Sequence, residues 1–119
     1  MVENAIMLTR LARLAELKAD PQLRRLAAYR KQVAAMNARR DLFKAKLNAA
    51  FSQGSSCSLA ELRLFSLEAG YAAAALAQVE SELADIRPGL EQARKEAAIA
   101  FGRVQALDQL AHKANTEEP

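Results

Sequence analysis

LRLFSLEAGYAAAALAQVESELADIRPGLEQARKEAAIAFGRVQALDQLAHKA, residues 62–114, decides the fold class. With Leu62 placed at heptad position a, the a positions are Leu62, Ala69, Leu76, Leu83, Leu90, Ala97, Val104 and Ala111. The d positions are Phe65, Ala72, Val79, Ile86, Ala93, Ala100, Leu107 and Ala114. All sixteen are apolar. Because 51% of the chain is apolar, chance gives such a run only about once in 10⁴ after allowing for seven registers. A heptad kept this long specifies a supercoiled seam, not an ordinary amphipathic helix. At 1.5 Å per residue the arm would be roughly 80 Å long. The register crosses Pro88-Gly89 unbroken, so that pair is expected to kink the arm without ending it.

Upstream of this arm, Ser52-Gln53-Gly54-Ser55-Ser56-Cys57-Ser58 is a cluster of small polar residues around a glycine, a strong helix-breaking signal. It closes on Ser58-Leu59-Ala60-Glu61, a capping box in which the serine hydroxyl accepts the Glu61 amide and Glu61 reaches back. Before the cluster, a second seam places Leu26, Val33, Arg40 and Leu47 at a, and Tyr29, Met36, Phe43 and Ala50 at d. Only Arg40 breaks it. Asp20-Pro21 has the form of a cap followed by a first-turn proline. It predicts a short first helix over 3–19 and a second over 21–51. A connection this short makes the two arms antiparallel. The expectation is one all-α domain, an antiparallel two-helix coiled-coil hairpin. Its arms span 3–51 and 58–115, joined by a loop over 52–57 and followed by a disordered tail over 116–119.

Charge offers a register. Residues 20–50 hold eight basic and two acidic residues, whereas residues 51–119 hold six basic and ten acidic. The g positions of the two arms then pair Lys46 with Glu61, Arg39 with Glu68, and Arg25 with Glu82 at one constant offset. Exposed pairs of this kind specify direction more than they stabilise. The same offset brings Arg40 near Phe65, where its stem packs and its head reaches water. It also brings Pro21 within about one helical turn of the level of Pro88. Carried to the N-terminus, it sets Ala19, Ala15, Ala12 and Leu8 against Ile86, Leu90, Ala93 and Ala97. Leu11, Leu14 and Leu17 fall outside the seam, and Val104, Leu107, Leu110 and Ala111 run past the partner arm. This apolar surplus at the open end of the hairpin has two readings. Either the first helix rotates after Asp20-Pro21 and buries its leucines, or they form a surface for another protein or another copy.

Catalysis has little to stand on. His112 is the only histidine and has no ligand-spaced neighbours, so no metal site is expected. Cys57 is a lone loop thiol without an activating base. One cysteine excludes an internal disulfide framework and fits a reducing, cytoplasmic setting. Glu80, Glu82, Asp85 and Glu91 read as a solvated face. The glycines match neither a phosphate-binding loop nor a dinucleotide fingerprint, and no cofactor is expected. No apolar run approaches the roughly 20 residues of a membrane span. Arg24, Arg25, Arg30, Lys31, Arg39, Arg40, Lys44 and Lys46 could line a phosphate backbone, making nucleic acid an alternative partner. Against it, three of them, Arg25, Arg39 and Lys46, have glutamate partners in the register above.

Met7-Leu8-Thr9-Arg10-Leu11-Ala12-Arg13-Leu14 and Ala106-Leu107-Asp108-Gln109-Leu110-Ala111-His112-Lys113, together with the hairpin architecture and the basic first arm, carry a resemblance. The chain resembles the FliJ family of flagellar export stalk proteins and their YscO-type counterparts in type III secretion. The resemblance implies a non-enzymatic stalk or adaptor in protein export. Such a protein engages the ring of the export ATPase and contacts the export gate and substrate chaperones. The open-end leucines would then face the ATPase. A self-associating module, two hairpins forming a four-helix dimer, is the other reading from this architecture.

Overall fold

The structure, a computed structural model, describes residues 2–53 and 58–117. They form two helices, α1 (Val2–Gln53) and α2 (Leu59–Glu117), with no strand among the described residues. The fold is an antiparallel two-helix coiled-coil hairpin. At the start of α2 the Ser58 hydroxyl oxygen accepts the Glu61 amide at 3.3 Å and the Ser58 carbonyl accepts the Leu62 amide at 2.9 Å. The first satisfies an amide that a helix start otherwise leaves open, and the second is the first bond of the helix itself. Ser52 and Gln53, expected in the loop, belong to α1, and the Ser52 hydroxyl donates to the Ala49 carbonyl at 3.1 Å. Gly54 through Cys57 lie outside the described residues, and with them the reading of Cys57. Thr116 and Glu117, expected in a disordered tail, continue α2. The Thr116 hydroxyl donates to the Lys113 carbonyl at 3.0 Å.

The heptad stripe is the packing stripe. Of the sixteen a and d residues of α2, fifteen are buried or half-buried; Leu62 is the exposed one. The matching row of α1 starts at Ala5 and recurs through Leu8, Ala12, Ala15, Ala19, Gln22, Leu26 and Tyr29 to Ala50 without a phase change. This continuity corrects the expected break at Asp20-Pro21. Pro21 lies inside α1. Its missing N–H leaves the Leu17 carbonyl without its usual donor, and its ring crowds that carbonyl. Packing on both sides of it, with Ala19 2% and Leu26 8% exposed, offsets that cost. Asp20, read as a cap, instead pairs with Arg24 one turn later at 2.8 Å.

The described residues divide into two compact units: residues 1–30 with 89–119, and residues 31–88. In the first unit the seam is lined by small residues, with Ala5, Ala12 and Ala19 on one arm and Ala93, Ala97 and Ala111 on the other, all buried. Leu26, Ala93 and Ala97 form its core cluster, with Tyr29 and Leu90 packed against it. In the second unit Val79 is fully buried, and Leu83, Ala72 and Ala50 are close to it in burial.

The register differs from the one expected. Arg25 pairs with Glu96 at 3.2 Å, not with Glu82, and Arg39 pairs with Glu82 at 3.6 Å, not with Glu68. Each partner lies fourteen residues further along α2, which is two heptads. Lys46 does not meet Glu61. It lines a groove with Glu68, Tyr71 and Ala75, and its ammonium lies 5.8 Å from the centre of the Phe43 ring. The Arg40 guanidinium sits 3.4 Å from the Asp41 carboxylate and has no place beside Phe65. Pro21 lies against Glu96, Ile99, Ala100 and Arg103 of α2, beyond Pro88 along that helix, so the expected coincidence of the two prolines is absent. A two-heptad translation leaves a residues facing d residues and gives Arg25 and Arg39 a glutamate in either register, though Lys46 loses its own. Patterning alone therefore does not distinguish the two registers.

Tyr29 and Gly89 supply a steric key that patterning lacks. A methyl carbon built on Gly89 would lie 2.8 Å from the Tyr29 hydroxyl oxygen and 3.0 Å from its ring. The largest seam side chain of the first unit thus rests where α2 has no side chain at all. The Arg25 guanidinium covers the same ring at 5.8 Å while holding Glu96, and Glu96 also accepts from Gln92 at 3.1 Å. Gly70 and Gly102 face open space. Gly70→Ala and Gly102→Ala should each raise stability by about 0.5–1 kcal/mol through helix propensity. Gly89→Ala should instead lower it by about 1 kcal/mol, because displacing Tyr29 outweighs that gain. Thermal melts of the three variants followed by circular dichroism decide the point; a stabilised Gly89→Ala would remove the key.

Candidate docking surface

Among the described residues no group of three or more His, Cys, Asp or Glu side chains is placed to hold a metal ion. His112 is exposed on α2. Among the described residues no helix is long and apolar enough to cross a membrane. Of the eight basic residues that could follow a phosphate backbone, Arg24, Arg25, Arg39 and Arg40 are engaged with carboxylates of the chain itself.

In the first unit the helices position the leucines by phase. Leu11 is at g, Leu14 at c and Leu17 at f of the α1 heptad, so none can reach the seam, and they are 43%, 48% and 67% exposed. The alternative in which α1 rotates to bury them is excluded by the constant phase through Pro21. On α2 the outward apolar residues of this unit are Ile99, Phe101 and Leu110. Leu11 and Leu14 share a groove of about 400 Å³ with Ala106 and Leu107, closed at one end by Lys18 and Arg103. Leu17 and Ile99 line a second groove that shares Lys18, Ala100 and Arg103 with the first. Leu110 lies exposed one turn beyond Leu107.

Val104 departs from this set. It is an a residue, 9% exposed, and is covered by the chain's own other arm, because the register runs two heptads further than expected. The same shift half-buries Leu107.

The second unit holds apolar surface that sequence reasoning missed. Phe51, Leu59, Leu62, Leu64, Leu67 and Tyr71 are all exposed, Tyr71 at 79%. Tyr71 and Phe43 border a groove of about 600 Å³. The signal was present in the sequence as a dense apolar run over 59–67. In the expected register α1 would have covered its a and d members, Leu62 and Phe65. In the observed register Leu62 is uncovered.

Comparison of the chain with protein-family models, with curated proteins and with solved structures finds no match to any of the three.

Proposed function

We propose that the protein is a non-enzymatic docking module, a helical hairpin whose outward leucines are covered by a partner protein. The observation that carries this reading is the set Leu11, Leu14, Leu17 and Leu110, apolar and outward on one unit, with Leu11 and Leu14 lining one preformed groove and Leu17 the groove adjoining it. Scattered exposed leucines need no explanation, but a contiguous group along a groove marks an interaction site. Area supports the reading. The chain exposes 8816 Å², whereas a folded monomer of 13.0 kDa exposes about 6,300 Å². The excess, roughly 2,500 Å², is on the scale of surface that permanent complexes bury.

The narrower reading is a stalk in flagellar or type III protein export that engages the export ATPase. It rests on the resemblance to the FliJ family in the two terminal stretches and in the hairpin architecture. A second copy of the chain is the other occupant, favoured by the additional apolar surface around Tyr71 and Phe51.

A photo-crosslinking residue at Leu14 or Leu110 in cells should give discrete adducts, and one at Ala27, exposed on the opposite flank of α1, should not. Adduct mass then separates an export ATPase from a second copy. Leu11→Asp with Leu17→Asp should abolish the adducts while the melting temperature stays within about 2 °C, since both side chains are exposed. Equal labelling at Ala27 would sink the docking reading.

A further inference from the structure

The flank of the first unit carries two like charges on one groove, which the rest of its chemistry does not call for. At one g–g′ level Arg25 meets Glu96 at 3.2 Å. One heptad toward the open end, the same positions are Lys18 and Arg103, two cations lining the same groove. Neither has an ion pair among the described residues. The groove between them and the leucines holds no carboxylate; Glu96, in the adjoining groove, is engaged by Arg25 and Gln92. Like charges directly across an interface are unfavourable and select against self-pairing unless an anion sits between them.

We propose that this groove takes an acidic amphipathic helix of another protein. Its apolar stripe would lie on Leu11, Leu14, Ala106 and Leu107, and a carboxylate would sit between Lys18 and Arg103. The proposal rests on the docking reading and adds the chemistry of the partner. A free phosphate or sulfate would satisfy the cations but leave the leucines bare. A second copy presenting the same flank two-fold would bring cations onto cations. A third helix laid between two others at about 8–10 Å spacing covers apolar groove and flanking charge together.

Two labelled peptides about three heptads long, long enough to hold helix, test this against the full chain. Both carry Leu at a and d; one has Glu and the other Lys at e and g. The acidic peptide should bind about tenfold tighter than the basic one, the size expected for two partly screened ion pairs. That preference should shrink in about 0.5 M salt. Lys18→Glu with Arg103→Glu should reverse the order, and Lys18→Gln with Arg103→Gln should erase it. Equal binding, preference for the Lys peptide, binding of neither, or an unchanged order in the reversed variant would each overturn the proposal. So would preferential binding to vesicles of phosphatidylserine, which would assign the face to a lipid surface. The crosslinking outcome is read separately. Adducts at Leu14 without an acidic preference leave the docking reading standing and remove only the partner chemistry. An acidic preference without adducts in cells does the reverse.

Discussion

Val79→Asp should remove about 4 kcal/mol of stability at neutral pH, most or all of what a chain of this size has. Val79 is the d residue in the middle of the α2 seam of the second unit and is fully buried. The seam cation level with Val79 in this register, Arg40, has its guanidinium on Asp41 at 3.4 Å, and Arg39 is held by Glu82. A buried, unpaired carboxylate either stays charged at a large desolvation cost or takes up a proton. Its folded-state pKa therefore rises above the unfolded value of about 3.9. Below that unfolded value both states bind the proton and the electrostatic penalty vanishes. As pH rises toward the folded value, the unfolded state alone loses its proton, so stability falls until the folded group also ionises. The variant should thus recover part of its lost stability relative to the parent between neutral pH and about pH 4. Ala77→Asp, two residues away on the exposed face, should stay within about 0.5 kcal/mol. Urea unfolding followed by circular dichroism at both pH values measures all three chains. A Val79→Asp chain as stable as the Ala77→Asp chain would mean that the seam admits water.

The second large effect is an apolar substitution. Ala93→Leu should destabilise the chain by about 2–3 kcal/mol, although leucine is a better seam residue than alanine in most coiled coils. Ala93 is fully buried, beside Ala97 and across from Leu26, in a seam whose other members include Ala12 and Ala19. Alanine on both arms lets the backbones approach closely. The three extra carbons of leucine have nowhere to go unless the arms separate, which would also pull Tyr29 away from Gly89. Ala98→Leu, one step outside the cluster and exposed, should be neutral within about 0.5 kcal/mol. If Ala93→Leu melts higher than the parent, the arms are not held at alanine spacing.

These cases show what could be read from the sequence and what could not. The period of residues 62–114 fixed which α2 residues turn inward, and the outward phase of Leu11, Leu14 and Leu17 was equally legible. Pro21 misled because the Asp20-Pro21 signal is local, whereas the continuity of α1 is maintained by burial of Ala19 and Leu26 on the other arm. The register was beyond the pattern's reach. Arg25 and Arg39 find a glutamate in either of two registers, and the contact that separates them, Tyr29 on Gly89, is a matter of shape. From that single ambiguity came both errors at the surface: Val104 assigned to a partner, and Leu62 assigned to the seam's interior.

The steric key also governs how such a chain could change length. A deletion of seven residues from α1 alone, between Tyr29 and the turn, keeps every apolar residue in phase. It nevertheless forces a choice, since Tyr29 can stay on Gly89 or the turn can stay where it is. Removing seven residues from both arms at matched levels forces no such choice. Insertions and deletions should therefore be accepted in this architecture as paired heptads, one from each arm, and rejected singly.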